Sequence, residues 1–247
     1  MIKSSEIKQN VKELLKTRYE DLFVAGLIAT LLTTFIKCGI EARSTMMSNG
    51  EMFTTFYEYI SINLGSQLPI YTRTITYFPI DIFIMMLIIL VFTNTIGTLT
   101  MVGYTRFMML NLKKKTSWKE VFYYFKQDFK VQKNIVIVTF VYKVKLVLWF
   151  CLFIIPGVIK IYEYQFISYA LVENPLMSIK EMSQYNKALT NKMKMNMFMF
   201  DLSFIGWLLL CALPLAAYII HPYVRQCYTQ YYEVLKQLKM QKDVIFN

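Results

Sequence analysis

Apolar residues in this chain are gathered into long blocks, and this grouping restricts the fold more than any other feature. The blocks lie at about 22–40, 78–110, 134–155, 158–172, 197–213 and 215–235. A transmembrane helix needs roughly 17–25 apolar residues, and most of the blocks reach that length. Only 17% of the residues are charged, whereas a soluble domain has about 25%. The sequence therefore predicts an all-α, polytopic helical membrane protein with about six transmembrane helices in a single domain over residues 1–247.

Positive charges lie mainly between the apolar blocks. The formal net charge is +11, and Lys and Arg in short connections are typical of the cytoplasmic side of a membrane protein. The connection 111–133 has seven lysines, whereas 41–77 has only two basic residues. We therefore predict that 41–77 lies outside and that both termini lie in the cytoplasm, beneath a bacterial plasma membrane. The same segregation argues against nucleic acid as a partner.

The number of spans depends on the last apolar stretch, 215–235. This stretch is less apolar than the others and contains Pro222 and five tyrosines. If it is an interfacial helix, the protein has five spans and the basic C-terminal segment lies outside. If it crosses the membrane, the protein has six spans and that segment returns to the cytoplasm, which the positive-inside rule favours.

Three basic segments have apolar residues at helical spacing and are predicted to be amphipathic interfacial helices, at about 4–19, 117–131 and 178–193. Their apolar faces would lie on the inner membrane surface and their lysines would face anionic lipids of the inner leaflet. The alternative for the first segment is a solvated helix. The second and third begin with predicted capping boxes at Ser117 and Ser178. These serines are 61 positions apart, and each segment precedes an apolar block, which suggests a duplicated helical-hairpin plan.

Ionisable residues within the apolar blocks are candidates for function, because a charge at a helix centre in the membrane costs about 2.5–3.5 kcal/mol. The candidate intramembrane polar site consists of Lys143, Lys145, Glu163 and Asp201. The two lysines differ by about 200° around a helix, so one partner cannot serve both. Either a polar cavity or a carboxylate receives one of them, or both snorkel from a tilted helix. Glu163 could pair locally with Lys160, and Asp201 also fits the inner interface.

The sequence lacks the common motifs of enzymes and metal sites. His221 is the only histidine, and no two of the four cysteines form a CxxC pair. Walker A, G-x-G-x-x-G and H-E-x-x-H patterns are absent. We therefore predict no catalytic residues, no cofactor and no metal, although an intramembrane enzyme can distribute its residues over several spans.

Several short strings resemble those of one family. They are Leu148-Trp149, Ile154-Ile155-Pro156-Gly157, Tyr162-Glu163-Tyr164, Glu173-Asn174-Pro175, Asp201-Leu202-Ser203-Phe204-Ile205-Gly206-Trp207, Pro222-Tyr223 and Tyr231-Tyr232-Glu233. Over most of its length the chain resembles the bacterial integral-membrane family catalogued as domain of unknown function 975, with Glu173 where that family usually has Asp. The resemblance implies an all-helical membrane protein with no established reaction, and it implies no catalytic residues.

The seven-residue string that begins at Asp201 also has a physical interpretation as a helix-packing motif. Gly206 would let a neighbouring helix approach, Ser203 would hydrogen-bond across the contact, and Trp207 would pack on the exposed side. Asp201 at the start of the helix would interact with the positive end of the helix dipole.

Two functional hypotheses follow from these patterns. The first is a non-enzymatic, membrane-protective protein that binds lipid or intercepts a hydrophobic peptide such as a bacteriocin. It depends on the basic amphipathic segments and on the lack of a catalytic set. The second is a small transporter, or an accessory subunit that associates with a transporter partner. It depends on the intramembrane charges and requires a water-accessible cavity beside Lys143 or Lys145.

Overall fold

The structure is a computed structural model that describes residues 4–48, 80–210 and 214–245. Within these ranges the elements are α1 Ser4–Ser48, α2 Ile80–Lys113, a 3₁₀ helix Trp118–Lys126, α3 Phe129–Leu152, α4 Ile154–Tyr164, α5 Ile167–Glu173, α6 Ile179–Thr190, α7 Lys194–Leu202, α8 Ile205–Leu210 and α9 Pro214–Ile245. The described part of the chain contains no strand, so the all-α prediction is confirmed. The chain divides into two compact units, Met1–Thr30 with Thr95–Asn247, and Leu31–Asn94.

Among the described residues, α3 alone is long and apolar enough to cross a membrane. It overlaps the predicted span 134–155. Only 17% of its most apolar stretch is buried, whereas a core helix of a soluble protein would be mostly buried. The predicted span 158–172 is divided between α4 and α5 by a turn at 165–166. The remaining predicted spans, and most of the predicted outer loop 41–77, extend beyond the residues whose side chains are described.

Helices α3 and α4 form an antiparallel hairpin. Phe153 separates them with an extended backbone (φ −158°, ψ 144°). The rings of Tyr142 and Tyr164 pack edge to face at 4.9 Å, and a Cβ on Gly157 would lie 2.8 Å from the ring of Phe150. The predicted spans 134–155 and 158–172 leave the break at Pro156 and Gly157, but the chain turns at Phe153. A proline is tolerated in the first turn of a helix, and Pro156 occupies that turn of α4.

The three predicted interfacial segments bury apolar residues against other helices of the protein. Ile7 and Val11 lie in one core cluster with aromatic residues of α9. Val121 and Tyr124 of the 3₁₀ helix are buried in two neighbouring clusters. In α6, Met182 and Leu189 are at most 4% exposed. These positions therefore contact protein and not the membrane surface that the sequence predicted, while most of the lysines on the same segments remain exposed.

The two predicted capping boxes have different structures. At α6 the box is complete: the backbone N–H of Glu181 donates to Ser178 Oγ at 3.3 Å, and the N–H of Ser178 donates to Glu181 Oε2 at 2.9 Å. The Ser178 backbone N–H, and after it the Ser178 hydroxyl, which donates to Glu181 Oε2 at 2.8 Å, lower the pKa of the Glu181 carboxyl. At Ser117 the box is not formed, because the Glu120 carboxylate pairs with Arg106 at 3.2 Å. Ser117 instead accepts a 3.5 Å bond from the N–H of Lys119.

The segment after Ser117 is a 3₁₀ helix and not the predicted α-helix. Side chains three positions apart share a face in a 3₁₀ helix, so Val121 and Tyr124 are buried together. Burial raises the pKa of Tyr124 to about 12. Phe129, which the α-helical pattern placed on the apolar face, is 78% exposed. The 3₁₀ helix packs against α2 at Gly103, where a Cβ would lie 1.9 Å from the carbonyl oxygen of Val121.

Candidate anion-binding site

A cavity of about 320 Å³ lies between the α4–α5 junction and the middle of α9. Both elements belong to the unit formed by Met1–Thr30 and Thr95–Asn247. The lining residues combine aromatic, aliphatic and hydrogen-bonding side chains: Gln165, Tyr169, Ile220, His221, Val224, Arg225 and Tyr228. A mostly apolar cavity with a few convergent polar groups is the usual form of a small-molecule site.

Two contacts that flank Arg225 position α9 beside the cavity. Pro222 packs against Gly26 of α1, where a Cβ would lie 2.7 Å from the proline ring. One turn further on, Gln226 Nε2 donates to the carbonyl oxygen of Met108 at 3.2 Å. Pro222 and Gln226 are both buried. These contacts hold the α9 turn that presents His221 and Arg225 to the cavity.

Arg225 supplies a positive charge that is not neutralised by any acidic residue described in the structure. The contrast with Arg106 is direct, because Arg106 pairs with Glu120 at 3.2 Å and stacks over Tyr123 at 3.7 Å. A guanidinium group offers five N–H donors and binds carboxylates and phosphates in a bidentate geometry. The partly buried Arg225 therefore gives the cavity a preference for an oxyanion.

Gln165 also lines the cavity. Its Oε1 atom is buried and receives no hydrogen bond from the described groups. An unsatisfied buried acceptor costs about 1–3 kcal/mol, so a ligand that donates to it would gain affinity. His221, one helical turn before Arg225, can donate or accept. The arrangement fits a ligand with a phosphate or carboxylate group and a nearby hydroxyl or ammonium donor.

Glu163, one of the predicted site residues, is the centre of a three-residue charge cluster. Its side chain is 6% exposed and receives Lys160 at 2.9 Å and Lys194 at 2.8 Å. The pair with Lys160 is the i, i+3 contact considered above. Lys194 at the start of α7 was not identified from the sequence as a partner. The cluster connects α4 to α7 and leaves an excess of one positive charge at this position.

Asp201 and Ser203 contact three other helices, of which α4 is reached through a hydrogen bond between Asp201 and Tyr162. Tyr228 Oη of α9 donates to the Asp201 carboxylate. The Ser203 carbonyl accepts a 2.5 Å bond from Lys8 Nζ of α1, and the same ammonium group lies 4.1 Å from the Phe204 ring centre. Burial lowers the pKa of Lys8. These contacts agree with the interfacial alternative for Asp201, because Lys8 belongs to the basic N-terminal segment.

Lys143 and Lys145 do not line the cavity that the structure describes. The side chain of Lys143 is exposed. The ammonium group of Lys145 lies 5.0 Å from the Tyr142 ring centre, and the residue is only partly buried. The structure therefore does not bring these lysines together with Asp201, and Lys145 has the exposure expected of a snorkelling side chain.

The residues of the predicted helix-packing motif have different surroundings. Trp207 is 38% exposed and its ring packs on Tyr223 at 5.7 Å. Gly206 is exposed, and a Cβ there would meet no described atom within 4 Å. The close helix approaches are found at Gly26 and Gly103 instead. Ser203 does reach another helix, through a 3.1 Å contact with the Ser4 hydroxyl.

The described residues contain no group of three or more His, Cys, Asp and Glu side chains arranged to hold a metal ion. Arg225 was not among the site residues predicted from the sequence. The available signal was its position: an arginine between apolar and aromatic residues of the predicted span 215–235. Ionisable residues inside such spans usually have a function.

Comparison with known proteins gives one match. The sequence model of the family described as "Protein of unknown function (DUF975)" matches residues 1–239. No curated protein and no solved structure matches the chain. The site described above consists of residues within the matched range.

Proposed function

This chain belongs to the family described as protein of unknown function (DUF975), and from that premise we propose that it is a non-enzymatic integral protein of the bacterial plasma membrane that binds anionic lipid and thereby protects the bilayer. The observation on which the lipid-binding proposal depends is the guanidinium of Arg225, which no described acidic residue neutralises, in a partly apolar cavity. The protein crosses the membrane an even number of times, with both termini in the cytoplasm.

Support for a membrane location comes from apolar side chains that the protein leaves uncovered. On α3 and α4, Val147, Leu148 and Ile159 are 46–61% exposed, and Leu152 to Ile155 are 64–76% exposed. Met195, Met199 and Ile205 on α7 and α8 are 54–68% exposed. A contiguous exposed apolar surface of this kind is typical of contact with a membrane or another protein.

Support for lipid as the ligand comes from the chemistry of the cavity. The guanidinium of Arg225 suits a phosphodiester, and Gln165 Oε1 suits a donor on the headgroup. Ile220 and Val224 add apolar contacts beside these groups. A phospholipid such as phosphatidylglycerol combines a phosphodiester, headgroup hydroxyls and acyl chains, so its parts match all three features.

The transport alternative needs a water-accessible cavity beside Lys143 or Lys145. The cavity described above is lined by neither residue. No observation therefore favours transport over lipid binding.

A lipid-retention experiment tests the proposal. The full chain is purified in a mild detergent as wild type, Arg225→Gln and Arg106→Gln, and bound phospholipid is measured by mass spectrometry. We expect wild type and Arg106→Gln to retain anionic phospholipid, because Arg106 is neutralised by Glu120 and is not a lining residue. Arg225→Gln should retain at least fivefold less, while its circular dichroism spectrum stays unchanged.

Equal retention by all three proteins would contradict the proposal. A lipid headgroup and free phosphate present the same oxyanion to the cavity, and adding millimolar inorganic phosphate distinguishes them. If free phosphate displaces the lipid from the wild type, the cavity recognises phosphate alone and lipid binding is overturned. If the lipid stays bound, the acyl chains or the headgroup hydroxyls contribute to recognition, as proposed. Increased sensitivity of a deletion strain to membrane-active peptides would test the protective role.

A further inference from the structure

From the contacts of the α3–α4 hairpin we infer that it is a wedge that enters only the cytoplasmic leaflet, with Phe153 near the middle of the bilayer. The sequence had assigned this region to two complete spans, 134–155 and 158–172. The inference rests on the proposed membrane location. It adds that the exposed apolar surface of the hairpin contacts the acyl chains and anionic headgroups of one leaflet.

The end of the hairpin is apolar without interruption. Residues 146–159 contain no charged side chain. Phe153, Ile154 and Ile155 at the bend are 68–76% exposed. Neither arm offers a polar surface to water in this stretch, so burial in lipid removes a large apolar area from solvent.

On each arm of the hairpin a lysine marks the limit of this apolar end, and the two lysines lie at about the same distance from the bend. The Tyr142–Tyr164 and Phe150–Gly157 contacts set the register of the hairpin. In that register Lys145 lies eight residues before Phe153, and Lys160 lies seven residues after it. The charge cluster adds Lys194 beside Lys160 through their shared partner Glu163. Positive charges at one level match the anionic headgroups of the inner leaflet.

The base of the hairpin is attached to elements that face water. Tyr142 Oη donates to the carbonyl oxygen of Ile179 at 3.0 Å, in the first turn of α6. Asn134 Nδ2 donates to the carbonyl oxygens of Pro175 and Met177 at 2.8 and 3.1 Å. In α6 the exposed residues include Lys180, Glu181, Gln184 and Lys187. Such a polar helix is excluded from the hydrocarbon core, so the membrane boundary must lie on the bend side of Tyr142.

The dimensions agree with one leaflet. Eight helical residues rise about 12 Å at 1.5 Å per residue, whereas the hydrocarbon core is about 30 Å thick and one leaflet accounts for about 15 Å. An arm that begins at Lys145 therefore ends near the midplane. Because the hairpin enters and leaves on the same side, replacing two complete spans with a wedge keeps both termini in the cytoplasm.

Cysteine labelling tests this topology in the full chain on a cysteine-free background. Single cysteines are placed at the bend by Phe153→Cys, and on the exposed face of α6 by Lys180→Cys as a matched control. A third protein retains only native Cys151, which is exposed near the bend, and serves if Phe153→Cys does not fold. Each is treated with an impermeant maleimide in intact cells and in inverted membrane vesicles.

We expect Lys180→Cys to react only in inverted vesicles, and the bend cysteines to react in neither preparation until the membrane is dissolved in SDS. A nitroxide at position 153 should collide more with oxygen than with a water-soluble nickel chelate. Reaction of the bend in intact cells would overturn the wedge in favour of complete crossing, with membrane integration intact. Reaction in inverted vesicles would place the bend in the cytoplasm. Carbonate extraction of the wild type tests membrane integration separately. If the protein stays in the membrane after extraction, an unexpected labelling result counts against the wedge and not against the proposed membrane location.

Discussion

The two halves of α3, divided here after Tyr142, have different surroundings. In the first half Ile135, Val138 and Tyr142 are 0–3% exposed, because the 3₁₀ helix, α5 and α6 cover them. In the second half Val147, Leu148 and Leu152 are 60–64% exposed. One face of the first half thus lies in the protein core, although Ile137 and Phe140 on its other side are 42–48% exposed, whereas the second half is a surface.

This difference shows that hydropathy does not determine what an apolar helix contacts. The first half is covered because α6, with its complete capping box, returns alongside it and accepts the Tyr142 hydrogen bond. No described helix provides similar cover beyond Lys145. The charge cluster around Glu163 lies between the covered and the exposed half of α3. If the two halves differ as the structure indicates, substitutions in them should have different effects on stability.

The largest effect is expected from truncation in the covered half. Ile135→Ala should lower the free energy of unfolding in detergent by about 2–5 kcal/mol, because it leaves a cavity in the core. Leu148→Ala is the matched control in the exposed half and should cost less than about 1 kcal/mol, because its side chain leaves no enclosed cavity. Denaturant titration followed by circular dichroism measures both. Similar losses at the two positions would contradict the contrast.

Removal of the charge at the boundary should have the next largest effect. Glu163→Gln leaves Lys160 and Lys194 close together without a counter-charge, and should cost about 1–3 kcal/mol. Glu173→Gln is the control, since Glu173 pairs with Lys236 at 2.6 Å but both side chains are over a quarter exposed. An exposed pair contributes at most about 1 kcal/mol. A larger loss for the control than for Glu163→Gln would refute a stabilising role for the cluster.

The capping residue of α6 should have a smaller effect. Ser178→Ala removes the two hydrogen bonds of the Ser178 hydroxyl but keeps the backbone N–H that donates to Glu181, and it should lower stability by about 1 kcal/mol. Ser117→Ala should cost less, because Ser117 makes only the 3.5 Å bond to the 3₁₀ helix. Thermal melts of the two variants give this order. Equal losses would mean that the two helix starts are equivalent, as the sequence suggested, and the reverse order would contradict the assignment of the complete box to α6.

The smallest effect concerns pH. Hydrogen bonds from Ser178 lower the pKa of Glu181 below its ordinary value of 4.5. The folded state therefore binds this proton less readily than the unfolded state. The contribution of the box is present above pH 4.5 and is lost as the pH falls through the lower, folded-state pKa. The decline in stability below pH 4.5 should be shallower in Glu181→Gln than in wild type, and identical slopes would contradict this assignment.

Local rules predicted much of this fold. The S-x-x-E pattern identified the start of α6, and apolar periodicity identified residues that are buried in α1 and α6, such as Val11 and Met182. The same pattern failed at Ser117 because Arg106, eleven positions earlier, attracts Glu120. Periodicity also could not show whether protein or lipid covers an apolar face. That choice depends on how helices distant in sequence pack together.

The candidate site could be predicted only in part for the same reason. The local pair of Glu163 with Lys160 follows from their spacing, whereas Lys194 is 31 positions away from Glu163. The cavity requires Gln165 and Arg225 to meet, although they are separated by 60 positions. Unlike Arg106, Arg225 has no acidic neighbour among the described residues, and the sequence does not encode that difference locally.

Fluorescence quenching by brominated phospholipids tests the central contrast most directly, because one tryptophan lies in each region. Trp149 is in the apolar end of the hairpin, and Trp118 begins the 3₁₀ helix that packs in the protein core. Single-tryptophan proteins, with the other tryptophans replaced by Phe, are reconstituted in vesicles with bromines on the acyl chains. We expect strong quenching of Trp149 and weak quenching of Trp118. Equal quenching of the two, or no quenching of Trp149, would contradict the account.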